Sequence, residues 1–260
     1  MKLITLIENE TSREDLCPEH GLSLYIEANG YKILFDAGKT GAFADNAQRL
    51  GVDLEGIHLA VLSHGHSDHC GGLLGFLSCN DIAPVYTQKS ALGGFYNAQG
   101  DYIGPEQALM GSKRLRFVED REEIGEGLTL IAGKCLPEVQ PIDSAGLTVL
   151  EEGRLLPDRF LHEQYLLIEE KGKRILISGC SHRGILNIAD YFRPDILIGG
   201  FHFFKEQPES PMVVGAAQQL LKYPTLYYTG HCTGAEQFKV MKNLMADRLH
   251  YLSTGSVLEI

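Results

Sequence analysis

Six consecutive residues, His64-Gly65-His66-Ser67-Asp68-His69, constrain this chain more than any other stretch. Three imidazoles and a carboxylate follow directly on an apolar run, Leu59-Ala60-Val61-Leu62. Polar side chains crowded at the end of a buried strand are costly unless something binds them. Imidazole with carboxylate is the donor set that suits zinc, iron or manganese. His64 and His66 are two apart, so in an extended segment they point to the same side. Gly71-Gly72-Leu73-Leu74 reads as the start of a helix. The strand end therefore offers two ligands, and the first helical turn offers Asp68 and His69. With further ligands from elsewhere, such a cluster can hold two divalent cations roughly 3.5–4 Å apart, the separation found in two-metal hydrolases.

The chain also echoes itself. Leu24 to Gly38 aligns without gaps with Leu166 to Cys180, each reading as strand, tight turn, strand. Asn29-Gly30 is a strong hairpin signal, and Lys171-Gly172 stands at the equivalent place. A second echo sets Ala60 to His66 against Ile196 to His202. The echoes run nearly in phase, which predicts two similar halves, each a hairpin followed by a strand that delivers ligands. Helices are expected over Phe43–Leu50, Gly72–Leu77, Ile185–Phe192, Met212–Leu221 and Ala235–Met245, with Pro211 opening the fourth and Thr233 capping the fifth. Apolar strands alternating with such helices imply an α/β chain folded as an αββα four-layer sandwich, its strand ends converging on one edge. One domain over residues 1–260 is expected. The stretch from Tyr86 to Pro141 is less regular and rich in Gly and Tyr between Ala91 and Gly104. It reads as an irregular insertion over the site.

The hexad resembles the His-x-His-x-Asp-His signature of the metallo-β-lactamase superfamily. Phe35-Asp36-Ala37-Gly38 is similar to the Asp-bearing turn that precedes that signature. Ser178-Gly179-Cys180-Ser181-His182 and Gly230-His231-Cys232-Thr233-Gly234 stand where later metal-binding regions belong. With Gly199-Gly200-Phe201-His202 between them, they resemble the branch that includes dihydropterin-methyl-ribofuranosylaminobenzene-phosphate synthases. The resemblance implies the metallo-β-lactamase fold and a metal-dependent hydrolase, in which a cation pair activates hydroxide against a small phosphorylated or cyclic metabolite.

Two divalent cations are expected, zinc ahead of iron or manganese. His64, His66 and His182 would hold one; Asp68, His69 and His231 would hold the other. Cys180 occupies the place where the superfamily usually carries a bridging Asp, and a thiolate there is a softer ligand. Asp68 has a second expected role, orienting the nucleophile or protonating a leaving group. Asp36 is expected to hold a histidine ring from behind. His202 is read as an acid/base or substrate-binding group, and His162 as a pocket or surface residue. His20, Thr233 and Lys205 are expected to bind substrate, Thr233 as part of backbone that opens a helix. Arg183 and the Lys113-Arg114 pair are further candidate charges, and Gly255-Ser256 is expected close to the site. Cys70 and Cys232 read as small packing residues.

Charge narrows the partners. Lys and Arg number 23 against 34 Asp and Glu, a net charge of −11. That balance argues against a nucleic-acid partner and leaves a small-molecule substrate. A di-iron oxygen-reducing protein would need a flavin domain, for which 260 residues leave no room. A nucleotide phosphodiesterase and a non-catalytic metal-binding module stand as alternatives. No apolar run approaches the length of a membrane span. Met1 to Glu8 is too short and too soon charged for a signal peptide. Six cysteines without an export signal point to free thiols in a reducing cytoplasm.

Overall fold

A computed structural model describes residues 1–260. The first half opens with β1 (Lys2–Ile7), the hairpin β2 (Ser23–Ala28) and β3 (Tyr31–Phe35), α1 (Ala42–Arg49) and β4 (Leu59–Val61). Two short helices, α2 (Ser67–Cys70) and α3 (Leu73–Cys79), lead to β5 (Val85–Thr87), β6 (Gly94–Tyr96) and β7 (Leu115–Phe117). The antiparallel pair β8 (Arg121–Gly125) and β9 (Leu128–Ala132) starts the second half, and β10 (Thr148–Glu151) with β11 (Arg154–Pro157) forms a further hairpin. Then come β12 (Gln164–Glu170), β13 (Lys173–Ile177), α4 (Ile185–Phe192), β14 (Ile196–Ile198), α5 (Pro211–Leu220), β15 (Leu226–Thr229), α6 (Ala235–Met245), β16 (Leu249–Tyr251) and β17 (Val257–Glu259).

These strands make two seven-stranded sheets, β17-β1-β2-β3-β4-β5-β7 and β16-β15-β14-β13-β12-β9-β8, with a small third sheet β11-β10-β6. Alternation along each strand explains how the layers stack. Ile33 and Phe35 of β3 join Ile175 and Ile177 of β13 in a buried cluster between the two sheets. Leu34, between them in sequence, faces the other way and packs with Phe43 of α1 and Phe76 of α3. Leu176 does the same against Ile188 of α4, Val213 of α5 and Met241 of α6. Three apolar layers thus separate helix, sheet, sheet and helix, the expected four-layer sandwich. Truncating one such Leu or Ile to Ala costs roughly 2–5 kcal/mol. An exposed ion pair contributes only about 0–1 kcal/mol. The three layers, not the surface charges, therefore hold the fold. No helix is long and apolar enough to cross a membrane.

The internal echo is real in three dimensions. Leu24 pairs with Phe35, and Leu166 pairs with Ile177 at the equivalent register. Asn29, Gly30, Lys171 and Gly172 all have positive φ, the requirement of a tight two-residue hairpin turn. The second echo is out by one residue. Sheet pairing sets Val61 beside Phe35 and Ile198 beside Ile177. Val61 therefore corresponds to Ile198, and His202 is not the positional equivalent of His66. The stretch expected as an irregular insertion contains four strands of the main sheets, β5, β7, β8 and β9; β6 and the 3-10 turns Lys89–Leu92 and Gln107–Gly111 lie between β5 and β7. The start of α5 follows expectation, with Ser210 accepting from Val213 N and Pro211 in the first turn. Thr233 does not cap α6, whose flanking residue is Gly234 at φ 85° with no side-chain cap.

Candidate metal centre

Strands β3 and β4 run parallel, as do β13, β14 and β15. Residues just beyond their carboxyl ends meet on one edge of the sandwich, the usual place for a site in such sheets. Four of these residues, Asp36, Ser181, His202 and His231, have positive φ without being glycine. Each such conformation costs on the order of 1–3 kcal/mol and persists only where surrounding bonds fix it.

Around Asp36, Ser181 and His231, buried carboxylates supply such bonds. Asp36 Oδ1 accepts from Ser63 N at 2.7 Å, and Oδ2 accepts from Ser63 Oγ at 2.7 Å and His69 Nδ1 at 2.7 Å. Because Ser63 donates to Asp36, its oxygen accepts from His64 Nδ1, at 2.8 Å. The His64 ring is thereby held with Nδ1 protonated and Nε2 bare, while the His69 ring is oriented through Nδ1, and burial is outweighed there by Asp68 with Asp36, which raise its pKa. His231 Nδ1 donates to Asn9 Oδ1 at 2.9 Å, which bares its Nε2 as well. Glu8 accepts from His231 N and from Tyr251 Oη. Glu163 accepts from His182 N at 2.8 Å and Arg183 N at 3.0 Å, and so fixes the turn carrying His182. The His182 ring is stacked on Phe160, centroids 4.3 Å apart. Gly65 lies so close to Ala91 O and the Phe95 ring that a Cβ would collide with both.

The resulting cluster has two parts. Nitrogen atoms of His64, His66 and His182 lie within 4.8 Å of one another. Nε2 of His64 and His66 and both ring nitrogens of His182 are buried without a hydrogen-bond partner. Leaving such an atom unsatisfied costs roughly 1–3 kcal/mol apiece. Burial, with neighbouring imidazoles second, holds all three rings well below ordinary histidine, His66 at about 3. They are neutral at pH 7, the state a cation needs.

The second part is built from Asp68, His69, His231 and Cys180. His69 Nε2 lies 3.0 Å from Cys180 Sγ and 3.2 Å from His231 Nε2. Asp68 Oδ2 is 3.3 Å from His231 Nε2 and 3.7 Å from His69 Nε2. Burial alone would raise the Asp68 carboxyl, but His69 and His231 outweigh it and hold it well below the usual carboxylate range. Burial pushes the Cys180 thiol up, with Cys232 and Asp68 adding to it. Burial brings His231 down to about 4. Bare nitrogens facing one another at 3.2 Å repel unless a cation or proton lies between them. Orphaned nitrogens in the first part, and imidazole, carboxylate and thiol donors packed together in the second, both fit a pair of bound cations.

Residues 18–231 match the family model described as the metallo-β-lactamase superfamily. The chain belongs to this superfamily. A relative from Methanocaldococcus jannaschii named 7,8-dihydropterin-6-methyl-4-(β-D-ribofuranosyl)-aminobenzene-5'-phosphate synthase is 28% identical, covering 100% of this chain and 96% of its own. An uncharacterised protein of the same organism is 29% identical over 93% of each chain. The crystal structure of Tm1679, described as a metal-dependent hydrolase of the β-lactamase superfamily, is 28% identical with a TM-score of 0.86, over 100% of this chain and 99% of that one. The branch resemblance read from the Gly-Cys-Ser-His and His-Cys-Thr-Gly motifs agrees with the first of these.

As in the superfamily signature, His64, His66, Asp68 and His69 are together, and Cys180, His182 and His231 join them from the second half. A cavity of about 280 Å³ is lined by His66, Asp68, Cys180 and His182 of this cluster and also by His20, Lys39, His202, Lys205 and Cys232. Asp68 is its only acidic lining residue. The chain's lysine ion pairs are Lys134 with Asp120 and Lys239 with Glu236. Lys39 and Lys205 thus reach the cavity without a carboxylate partner.

Other expectations fail. Thr233 is not a cavity residue, because its hydroxyl is turned inward to accept from Phe201 N at 2.8 Å and to meet Thr229 Oγ1. His162 is neither in the cavity nor at the surface; it is buried, accepting from Gly65 N at 3.2 Å and bonding Asp158 at 3.0 Å, and so braces the His64–His66 loop. Arg183 is buried away from the cavity, on Glu138 and the carbonyls of Leu136 and Arg159. Arg114 binds carbonyls at the end of α3, and Gly255 packs against Leu16 and Arg13. Cys70 lies in the apolar layer under α3, as expected. The sequence reading missed Glu8, Asn9, Ser63, Asp158, Glu163 and Lys39. Glu8 and Asn9 carry one usable signal: like Asp36, they directly follow an apolar strand.

Proposed function

We propose that this protein is a metal-dependent hydrolase of a small anionic metabolite. His64, His66 and His182 hold one divalent cation, and Asp68, His69 and His231 hold a second, with zinc the best match to imidazole and thiol donors. The observation that carries the reading is the set of orphaned nitrogens on three buried, neutral imidazoles beside an ionised carboxylate, with His66, His182 and Asp68 opening on one cavity. A cation pair bound here supplies Lewis acidity and makes water nucleophilic at neutral pH.

The chain's own groups do the rest. Asp68, ionised at neutral pH, accepts a proton from the attacking water and aligns it. Its Oδ2 lies 3.5 Å from Nε2 of the half-exposed His20, which gives that proton a route to solvent. His202 lies against His182, ring centroids 4.2 Å apart, and makes no hydrogen bond inside the protein. Its ring is free to bond a substrate oxygen or leaving group. Lys39, Lys205 and His20 make one wall basic in a chain of net charge −11, which favours an anionic small molecule over nucleic acid. Six free cysteines support placement in a reducing cytoplasm.

The test is turnover of phosphomonoesters, phosphodiesters and lactones by the metal-loaded protein in ¹⁸O-water. Hydrolysis places ¹⁸O in the product and is lost in His66→Ala. The full-length match to a synthase favours a second reading, transfer of the substrate's group to another small molecule. In that case product forms only with the acceptor present and carries no solvent oxygen.

A further inference from the structure

Cys232 and Gly200 belong to motifs whose chemistry the hydrolase reading leaves unused. Cys232 Sγ, Cys180 Sγ and a ring nitrogen of His231 lie within 4.8 Å of one another. Both thiols are free, 2% exposed, and line the cavity. The partner of Cys232 Sγ is Cys180 O, at 3.5 Å. Gly200 faces this sulfur so closely that a Cβ there would fill the space the sulfur occupies. Glycine at 200 is therefore what admits a sulfur beside Cys180.

We propose that Cys232 is a second thiolate ligand of the second cation position, so that Cys180 and Cys232 bring two sulfur donors beside His231 and make that position selective for soft divalent cations. The inference rests on the cation-binding reading above and deepens its second half. Thiolates prefer zinc and cadmium to manganese or magnesium, and a pair of sulfurs strengthens that preference. Loading is balanced by protons: two thiols and one divalent cation give a dithiolate complex and two protons released to solvent. The first position, with imidazoles alone, has no such preference for sulfur-seeking ions.

The test is cadmium titration of the metal-free full-length protein in which exposed or half-buried Cys17, Cys79 and Cys135 are replaced by Ser. Cadmium alone is the probe, and the readout is ultraviolet sulfur-to-cadmium charge-transfer absorption with protons released per cation. The parent should show a two-thiolate band and release two protons. Cys180→Ser and Cys232→Ser should each halve the band, and the double variant should abolish it. A full parental band in Cys232→Ser overturns the proposal. ¹¹³Cd NMR of the same parent protein decides the point without either of those variants: a shift for two sulfur donors supports it, and a shift for one overturns it. Loss of Cys232 alone leaves the hydrolase reading standing, because that reading rests on cation binding by His64, His66 and His182 and on solvent oxygen entering the product.

Discussion

The two halves of the centre differ in how they are satisfied without a cation. Around His64, His66 and His182 the donor nitrogens have no internal partner. Around His69 the donors turn on each other: Cys180 at 3.0 Å, His231 at 3.2 Å, with Asp68 3.3 Å from His231. A cation at the first position relieves an uncompensated burial cost. A cation at the second must displace protons and contacts already present. The first position should therefore bind more tightly, and the second should be more sensitive to cation type and pH. The same contrast extends to support. Asp36 serves both halves, through Ser63 to His64 and directly to His69, whereas Glu163 serves only His182 and Glu8 only His231.

The largest effect is expected from the first position. His66→Ala and His182→Ala should each lower bound metal by one equivalent and activity at least a hundredfold, with circular dichroism unchanged. Retention of both equivalents breaks the proposed division of ligands. Asp36→Ala should hit both positions at once. It strips a buried carboxylate from three donors, so we expect a loss of roughly 3–5 kcal/mol in urea unfolding together with both metals. Loss confined to one position would show that the halves are supported separately.

A third effect is pH-dependent. In the metal-free protein, burial depresses the folded-state pKa of His66 to about 3 and of His231 to about 4. The unfolded chain protonates near 6.5. Unfolded protein thus binds more protons between these values, and stability falls as pH drops from about 6.5 toward 3. Metal loading strips further protons from the folded state and should steepen this slope. Unfolding midpoints that stay flat from pH 7 to 4 would contradict the neutral-imidazole assignment. Smallest of all, Lys39→Gln and Lys205→Gln should each raise KM for an anionic substrate by about three- to tenfold at low salt with kcat little changed, as expected for binding charges rather than reacting groups.

Local patterns made half of this centre legible. The His64–His69 cluster, Asp36, the Cys180–His182 turn and His231 all sit in compact motifs directly after apolar strands. The repeated hairpins exposed the two-half architecture because their turns need positive φ and their apolar alternation fixes register. The braces were not legible. Glu8 contacts His231 across 223 positions, and Asp158 acts through His162 and Phe160. Asp158 carries no local mark of such a contact, and Glu8 shows only its place directly after an apolar strand. The short strands β4, β5, β7 and β14, three residues each, leave too little periodicity to phase the second echo. That is why His202 was aligned with His66. Thr233 departs from its expected role because a hydroxyl at a turn bonds inward as readily as outward, and here Phe201 N lies within its reach.

Anomalous diffraction from crystals grown with zinc tests the centre most directly. We predict a strong peak about 2.0–2.1 Å from Nε2 of His64 and His66 and from a ring nitrogen of His182, with a weaker one among Asp68, His69 and His231. Electron density showing these rings in place with no zinc signal between them would contradict the account.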